Sequence, residues 1–285
     1  MSMQQTATDR IAFIGGGNMA RALIAGLIRH AVPPHRLSVG EPDAPSRAAL
    51  QRDFGVAVSA DNVTAIGGAE LVVLAVKPQQ AAGVLHELQA TLHTLRPLLL
   101  SIAAGLRIAD LVKACPPGTA IARAMPNRPA LVGSGITGLY AASTVTARQR
   151  QLAELVGEAS GRAVWLRAEA EFDVVTALSG SGPAYFFLLA ERMADAAERL
   201  GLERDTALLL AGATLHGAGM LANEAAGLAE QRAAVTSKGG TTEAALRVLD
   251  QGGFDELIAR AVGAGTARSI ELAAMLSSSL QAEHP

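Results

Sequence analysis

The chain has 285 residues, half of them apolar but only 3% aromatic, with 24 basic against 26 acidic side chains and a formal net charge of −2. That length holds two ordinary domains or one large one, and the near-neutral balance leaves no basic face of the size that nucleic acid requires, so the expected partner is a small molecule. A single cysteine, Cys115, excludes an internal disulfide, and six histidines that fall at no gathering interval give a structural metal no support, so no metal is expected.

The opening M-S-M-Q-Q-T-A-T-D-R has no apolar signal core, and the apolar runs 71–76 and 98–104 are too short to span a bilayer. A soluble cytoplasmic protein without a membrane partner is the expectation. Residues 11–15 (I-A-F-I-G) then form a short apolar run that ends in glycines and is followed by M-A-R-A-L-I-A-G-L-I, which predicts a strand, a tight turn and a helix. The same grammar repeats with strands predicted at 37–39, 71–76, 98–103 and 120–124, and late strands at 136–140 and 163–166. Strands alternating with helices imply right-handed crossovers and a parallel sheet covered on both faces. Residues 1–166 are therefore read as a Rossmann-type α/β domain.

Past Trp165 the texture changes to long Ala- and Leu-rich stretches at 182–200, 205–226 and 254–280 without strand signals. Residues 167–285 are read as an all-helical domain. Several of these helices are apolar around most of their circumference, Ala184 to Ala190 and Ala207 to Leu215 among them. A homodimer through this domain is the simplest way to cover them; mutual packing is the plainer alternative.

Gly15-Gly16-Gly17-Asn18-Met19-Ala20 is G-x-G-x-x-A between a strand and a helix, the dinucleotide fingerprint in its Ala-ended form. Gly15 allows the turn, Gly17 lets a pyrophosphate approach the backbone, Ala20 permits close helix packing, and the helix N-terminus favours the anion. At the end of the second strand Glu41 suits a ribose 2′-hydroxyl, yet Arg47 lies in reach of a 2′-phosphate and Pro42 follows Glu41, so the choice between NADH and NADPH stays open. Ala75-Val76-Lys77-Pro78 closes the third strong strand at the edge where open sheets bind ligands, and Ser101 to Gly105, with Ala104, closes the next. Lys77 is either a phosphate neutraliser or an ordinary strand-ending lysine. Arg123-Ala-Met-Pro-Asn127-Arg128-Pro129 forms a rigid loop at the same edge, with Asn127 a turn residue or more. Ser179-Gly-Ser181-Gly-Pro183 opens a helix with Ser181 as N-cap candidate, and either capping or substrate contact explains it. Ser237-Lys238-Gly239-Gly240-Thr241-Thr242 looks like half a phosphate loop set far from the nucleotide turn.

Read together, I-G-G-G-N-M-A (14–20), V-K-P-Q (76–79), S-I-A-A-G (101–105), R-A-M-P-N-R-P-A-L-V-G-S-G (123–135), S-G-S-G-P-A-Y (179–185) and S-K-G-G-T-T (237–242) resemble pyrroline-5-carboxylate reductase, from about residue 10 to 275. The resemblance implies NADPH or NADH on the N-terminal domain, with contacts from Gly15, Gly17, Asn18, Met19, Asn62, Ala75, Val76, Lys77, Pro78, Ala104 and Gly105. It also implies an interlocked homodimer, extending to a decamer of five dimers, in which the 237–242 loop of one subunit completes the site of the other. The substrate would be 1-pyrroline-5-carboxylate, its carboxylate cradled by Ser237 and the amides of Gly239, Gly240 and Thr241, with Thr242 holding or donating the ring-nitrogen proton. The chain departs from the family's usual loops at Lys238 and Arg128, where proline and threonine are the common residues. A β-hydroxyacid dehydrogenase shares the two-domain plan but needs a lysine on a helix of the second domain, where only Lys238 occurs, in a glycine loop. A non-catalytic NAD(P) sensor would have no use for Thr242.

Overall fold

The computed structural model describes residues 9–222 and 227–283, so the opening eight residues and the end of the helix predicted at 205–226 lie outside it. Four consecutive covered residues, I-A-F-I, form the first strand, β1 (Ile11–Ile14), and the same pattern recurs in β4 (Leu71–Leu74) and β5 (Leu98–Ser101). A strand buried on both faces is apolar throughout rather than alternating, which made these three legible. With β2 (Leu37–Gly40), β3 (Ala57–Ser59), β6 (Ala120–Met125), β7 (Gly135–Ala141) and β8 (Gly161–Trp165) they build, among the described residues, one sheet ordered β3-β2-β1-β4-β5-β6-β7-β8. All neighbours pair in parallel except β6 and β7. The strand predicted at 71–76 stops at Leu74, because the Ala75 amide donates to Ile14 O at 2.8 Å and Pro78 starts a short helical turn. The edge strand β3 was not expected; A-V-S is only three residues long and half-exposed.

Alternate residues of the strands feed two cores. Ile11, Phe13, Val39, Leu71 and Val73 face α1 (Asn18–Arg29) and α6 (Ala147–Glu158), while Ala12, Ile14, Val72 and Leu74 face α4 (Ala81–Leu95), α5 (Ile108–Ala114) and Leu276 of α12 (Phe254–Glu283). Helices on both faces of a mostly parallel sheet make this the expected Rossmann-type arrangement. Cys115 belongs to the second core, and burial pushes its thiol up to about 12, which makes it a packing residue rather than a reactive one.

Beside β1 and β4 the Glu70 carboxyl hydrogen-bonds the buried Asp9 carboxylate, and that contact, then burial, then the Asp9 charge raise its pKa; Arg148 pairs with Asp9 from α6. A raised carboxyl pKa means the folded state holds a proton that the unfolded chain releases, so ionised Glu70 costs stability above its folded pKa and the cost disappears as pH falls below it. Glu70→Gln is therefore expected to raise the melting temperature by about 1–2 °C at pH 7.5, small because Glu70 is exposed and screened, and to lose that advantage in acid. A lower melting temperature for the variant at pH 7.5 would refute the pairing.

By backbone contacts the chain divides into one unit running to Gly180 together with Gly265 onward, and a second unit, Ser181–Ala264. The change of texture at 166/167 marks where strands end, but α7 (Glu171–Val175) stays with the sheet: Phe172 is buried and Val175 crowds Gly138 of β7. A π-helical turn, Thr176–Gly180, then leads directly into α8 (Gly182–Arg199). Ser181 is consequently not the expected N-cap. Its backbone is helical (φ −85°, ψ −25°) and its side chain makes no capping bond, since helix already precedes it.

In the second unit α8 packs against α9 (Arg204–Leu221), followed by α10 (Leu228–Ala234) and α11 (Thr241–Gln251). The last two were not singled out from sequence: α10 is only seven residues long, and α11 is headed by the glycine loop. Phe186 and Phe187 of α8 are 60% and 56% exposed, and Leu209 of α9 is 72% exposed. The stretch Glu171–Arg199 is long and apolar enough, by length and composition alone, to cross a membrane. Its C-terminal part nevertheless carries Arg192 and Asp195, which are ion-paired to each other, with Arg204 joining Asp195 at 2.6 Å.

Candidate active site

β1 and β4 are neighbours, yet successive strands run outward from them in opposite directions, β2 and β3 on one side, β5 and β6 on the other. Such a switch point leaves a crevice at the carboxyl edge. Gly15 ends β1 with φ +97°, donates to Gly40 O at 2.8 Å, and would carry a Cβ only 2.7 Å from Ala75 O. No residue but glycine fits there. Gly17 caps α1, and a Cβ on it would meet nothing within 4 Å, so its outer face is open. The first α1 turn bond returns from Arg21 N to Gly17 O, leaving the amides of Asn18, Met19 and Ala20 with no acceptor among the described residues. Those amides and the helix dipole suit a pyrophosphate.

The other predicted cofactor residues lie on the same edge. Ala75 and Val76 are half-buried beyond β4, Lys77 is exposed and caps the turn Pro78–Gln80, and Ala104 and Gly105 follow β5. Asn62 opens α3 (Asn62–Ala65); its amide donates to Glu87 Oε2 at 3.2 Å and its Oδ1 lies against Gly40. Glu41 turns inward despite Pro42. Its Oε2 accepts from Gly16 N at 2.9 Å and its Oε1 from Asp43 N at 3.0 Å. Arg47 of α2 (Ala44–Phe54) spends Nη1 on two carbonyls, Glu41 O at 2.8 Å and Pro42 O at 2.7 Å. The open turn, the unaccepted amides and the positive φ at Gly15 fit a dinucleotide.

Below the end of β6, Arg123 is buried and donates to Glu169 Oε1 at 2.7 Å, while its guanidinium stacks 4.4 Å over the Phe172 ring. Burial lowers its pKa and the Glu169 carboxylate works against that, so the pair holds the charge in place. A cavity of about 220 Å³ opens here between Gly105, Arg107, Arg123, Glu169, Asp173 and Ser269. In the sequence Arg123 stands only at the head of a loop motif; one arginine inside an otherwise small-residue strand, A-I-A-R-A-M, is the signal that marks it. Asn127 is more than a turn residue: buried, it accepts from Ile136 N at 2.9 Å and donates to Ser179 O at 3.1 Å. Among the described residues no group of three or more His, Cys, Asp or Glu could hold a metal ion.

In the second unit the 237–242 loop heads α11. Gly240 is the N-cap, and the Gly239 and Gly240 amides are already taken, by Glu243 Oε2 at 2.8 Å and Ser237 O at 3.0 Å. Two of the amides expected to form the cradle therefore have acceptors within the loop itself. The amides of Thr241, Thr242 and Glu243, the first turn of an eleven-residue helix, have no acceptor among the described residues, and neither have those of Ser237 and Lys238. Glu243, overlooked in the sequence, is the third helical residue, where a carboxylate commonly reaches back to the preceding loop. Ser237 and Lys238 are exposed and Thr242 is half-buried.

A glycine turn at the switch point of a mostly parallel sheet, followed by a helical domain whose α11 opens on a glycine loop, defines a dinucleotide-dependent oxidoreductase. The family model for pyrroline-5-carboxylate reductase dimerisation matches residues 169–272, and that for NADP oxidoreductases, coenzyme F420-dependent, matches 10–105. The chain is 45% identical to a pyrroline-5-carboxylate reductase of Pseudomonas aeruginosa, over 95% of this chain and 99% of the relative, and 42% identical to one of Haemophilus influenzae, over 92% and 97%. The solved pyrroline-5-carboxylate reductase of Coxiella burnetii superposes with a TM-score of 0.90 at 41% identity, covering 93% of this chain and 98% of that one. The Plasmodium falciparum enzyme, solved with NADP bound, gives 0.77 at 26% identity over 94% and 99%. The chain belongs to the pyrroline-5-carboxylate reductase family, which sets aside the β-hydroxyacid dehydrogenase and sensor readings.

Proposed function

We propose that this protein reduces 1-pyrroline-5-carboxylate to L-proline, the closing step of proline biosynthesis, with NADPH or NADH as the hydride source. The observation that carries the reading is the open Gly15-Gly16-Gly17 turn at the switch point, in a chain of this family. When bound, the dihydronicotinamide supplies hydride to the imine carbon of the substrate. The protein supplies alignment: residues 1–166 carry the cofactor on Gly15, Gly17, Asn18, Met19, Asn62, Ala75 to Pro78, Ala104 and Gly105, and residues 167–285 carry substrate binding and dimerisation. The amides of Thr241, Thr242 and Glu243 with the Ser237 hydroxyl hold the substrate carboxylate at the helix start, while Gly239 and Gly240 shape the loop through their own backbone bonds. Thr242 Oγ1 hydrogen-bonds the ring nitrogen to hold or donate its proton, and that nitrogen is basic enough that no stronger acid is needed.

Lys238 adds a charge beside the carboxylate cradle and returns a backbone N–H that proline would remove. The exposed faces of α8 and α9 support a homodimer, with the decamer as its larger assembly, working in the cytoplasm. The test is oxidation of NADPH or NADH that depends on added pyrroline-5-carboxylate, with L-proline as product. Cofactor binding without that turnover would sink the assignment.

A further inference from the structure

We infer that Glu41 makes this chain select NADH over NADPH, by filling with its own carboxylate the place where a ribose 2′-phosphate would need donors. The inference rests on the dinucleotide reading of the Gly15–Gly17 turn. Glu41 directly follows β2, and its backbone amide is fixed to Ser59 O of β3 at 2.9 Å. Its two carboxylate oxygens each accept one backbone N–H, from Gly16 inside the cofactor turn and from Asp43 at the head of α2. A carboxylate offers about four lone-pair sites, so acceptor capacity remains after those two bonds. A ribose diol, which donates, matches that capacity. A phosphate dianion, which only accepts, finds both amides taken and a like charge in front of it.

The surrounding charges point the same way. Asp43 adds a second carboxylate, kept ionised by its bonds from Ser46. Arg47 of α2 could meet a phosphate only with Nε and Nη2, because its Nη1 is committed to Glu41 O and Pro42 O. Freeing it would strip two carbonyls of their donor.

Equilibrium titration of the full-length protein with NADH and with NADPH, followed by nucleotide fluorescence at about 0.15 M salt, tests this without turnover. NADH is expected to bind about tenfold or more tightly. Glu41→Gln keeps the shape and removes the charge, Glu41→Ser also opens the space, and each is expected to bring the two dissociation constants within about threefold. Equal or tighter NADPH binding by the parent overturns the inference while leaving the dinucleotide site intact, and so does a preference unchanged in both variants. Binding of neither nucleotide would overturn the dinucleotide reading, and this inference with it.

Discussion

A Gly26→Ala chain is expected to lose about 4 kcal/mol or more of folding stability, enough by itself to unfold a domain of ordinary stability. Gly26 lies inside α1, where alanine should by propensity gain roughly 0.5–1 kcal/mol. Packing decides the sign. A Cβ at position 26 would sit 2.6 Å from the carbonyl carbon of Ala159 and 3.0 Å from its Cα, with the carbonyl oxygen nearer still. These are backbone atoms at the end of α6, where Ala159 is fully buried and its amide is bonded to Leu155 O, so no side chain can swing aside. Relief requires separating α1 from α6, both of which line the first core, and shifting α1 also moves Asn18 and Met19 at the cofactor turn. Gly83→Ala in α4 is the control. Nothing lies within 4 Å of its Cβ position, so propensity alone should act and stability should rise by roughly 0.5–1 kcal/mol. Urea unfolding of both variants checks the pair; a Gly26→Ala protein as stable as the parent would mean that the two helices do not approach this closely.

Gly26 also marks the limit of what the sequence could convey. It reads there as a mild cost in an apolar helix, because the atom that requires it is a carbonyl more than a hundred residues away. The strands β1, β4 and β5 were legible for the opposite reason: burial on both faces writes itself into consecutive residues. Their far ends were overextended, since Ala75 and Ile102 remain apolar and half-buried beyond the last ladder pair. The glycine fingerprint likewise placed the turn, but Pro42 left the direction of Glu41 undecided, and only the bond to Gly16 resolves it.

The 237–242 loop divides in the same manner. Its composition suggests an anion site, whereas the donors that remain depend on bonds inside the loop. Glu243 and Ser237 satisfy the two glycine amides, and the free donors include those of the first α11 turn. Lys238 attracts notice in the sequence for its charge. The structure gives it an exposed position on a loop whose shape is set by its neighbours.

That division makes Thr242→Ala an informative substitution. Thr242 carries two different donor groups, a backbone amide at the second position of α11 and a hydroxyl on a half-buried side chain. Alanine keeps the amide and the helix while deleting only the hydroxyl, so the amides proposed to cradle the carboxylate survive the change. If the hydroxyl donates to the ring nitrogen as hydride arrives, its hydrogen bond strengthens in the transition state, where lone-pair density builds on the nitrogen as it becomes an amine. The expected result is a fall in kcat of about 10²-fold, roughly 2.7 kcal/mol, with KM changed by less than about threefold. Thr242→Ser should recover most of the rate, and Thr242→Val, which keeps the shape without the hydroxyl, should not. A rise in KM at constant kcat would instead place the hydroxyl on the carboxylate. The proton would then have to come to the imine from solvent, before the substrate binds.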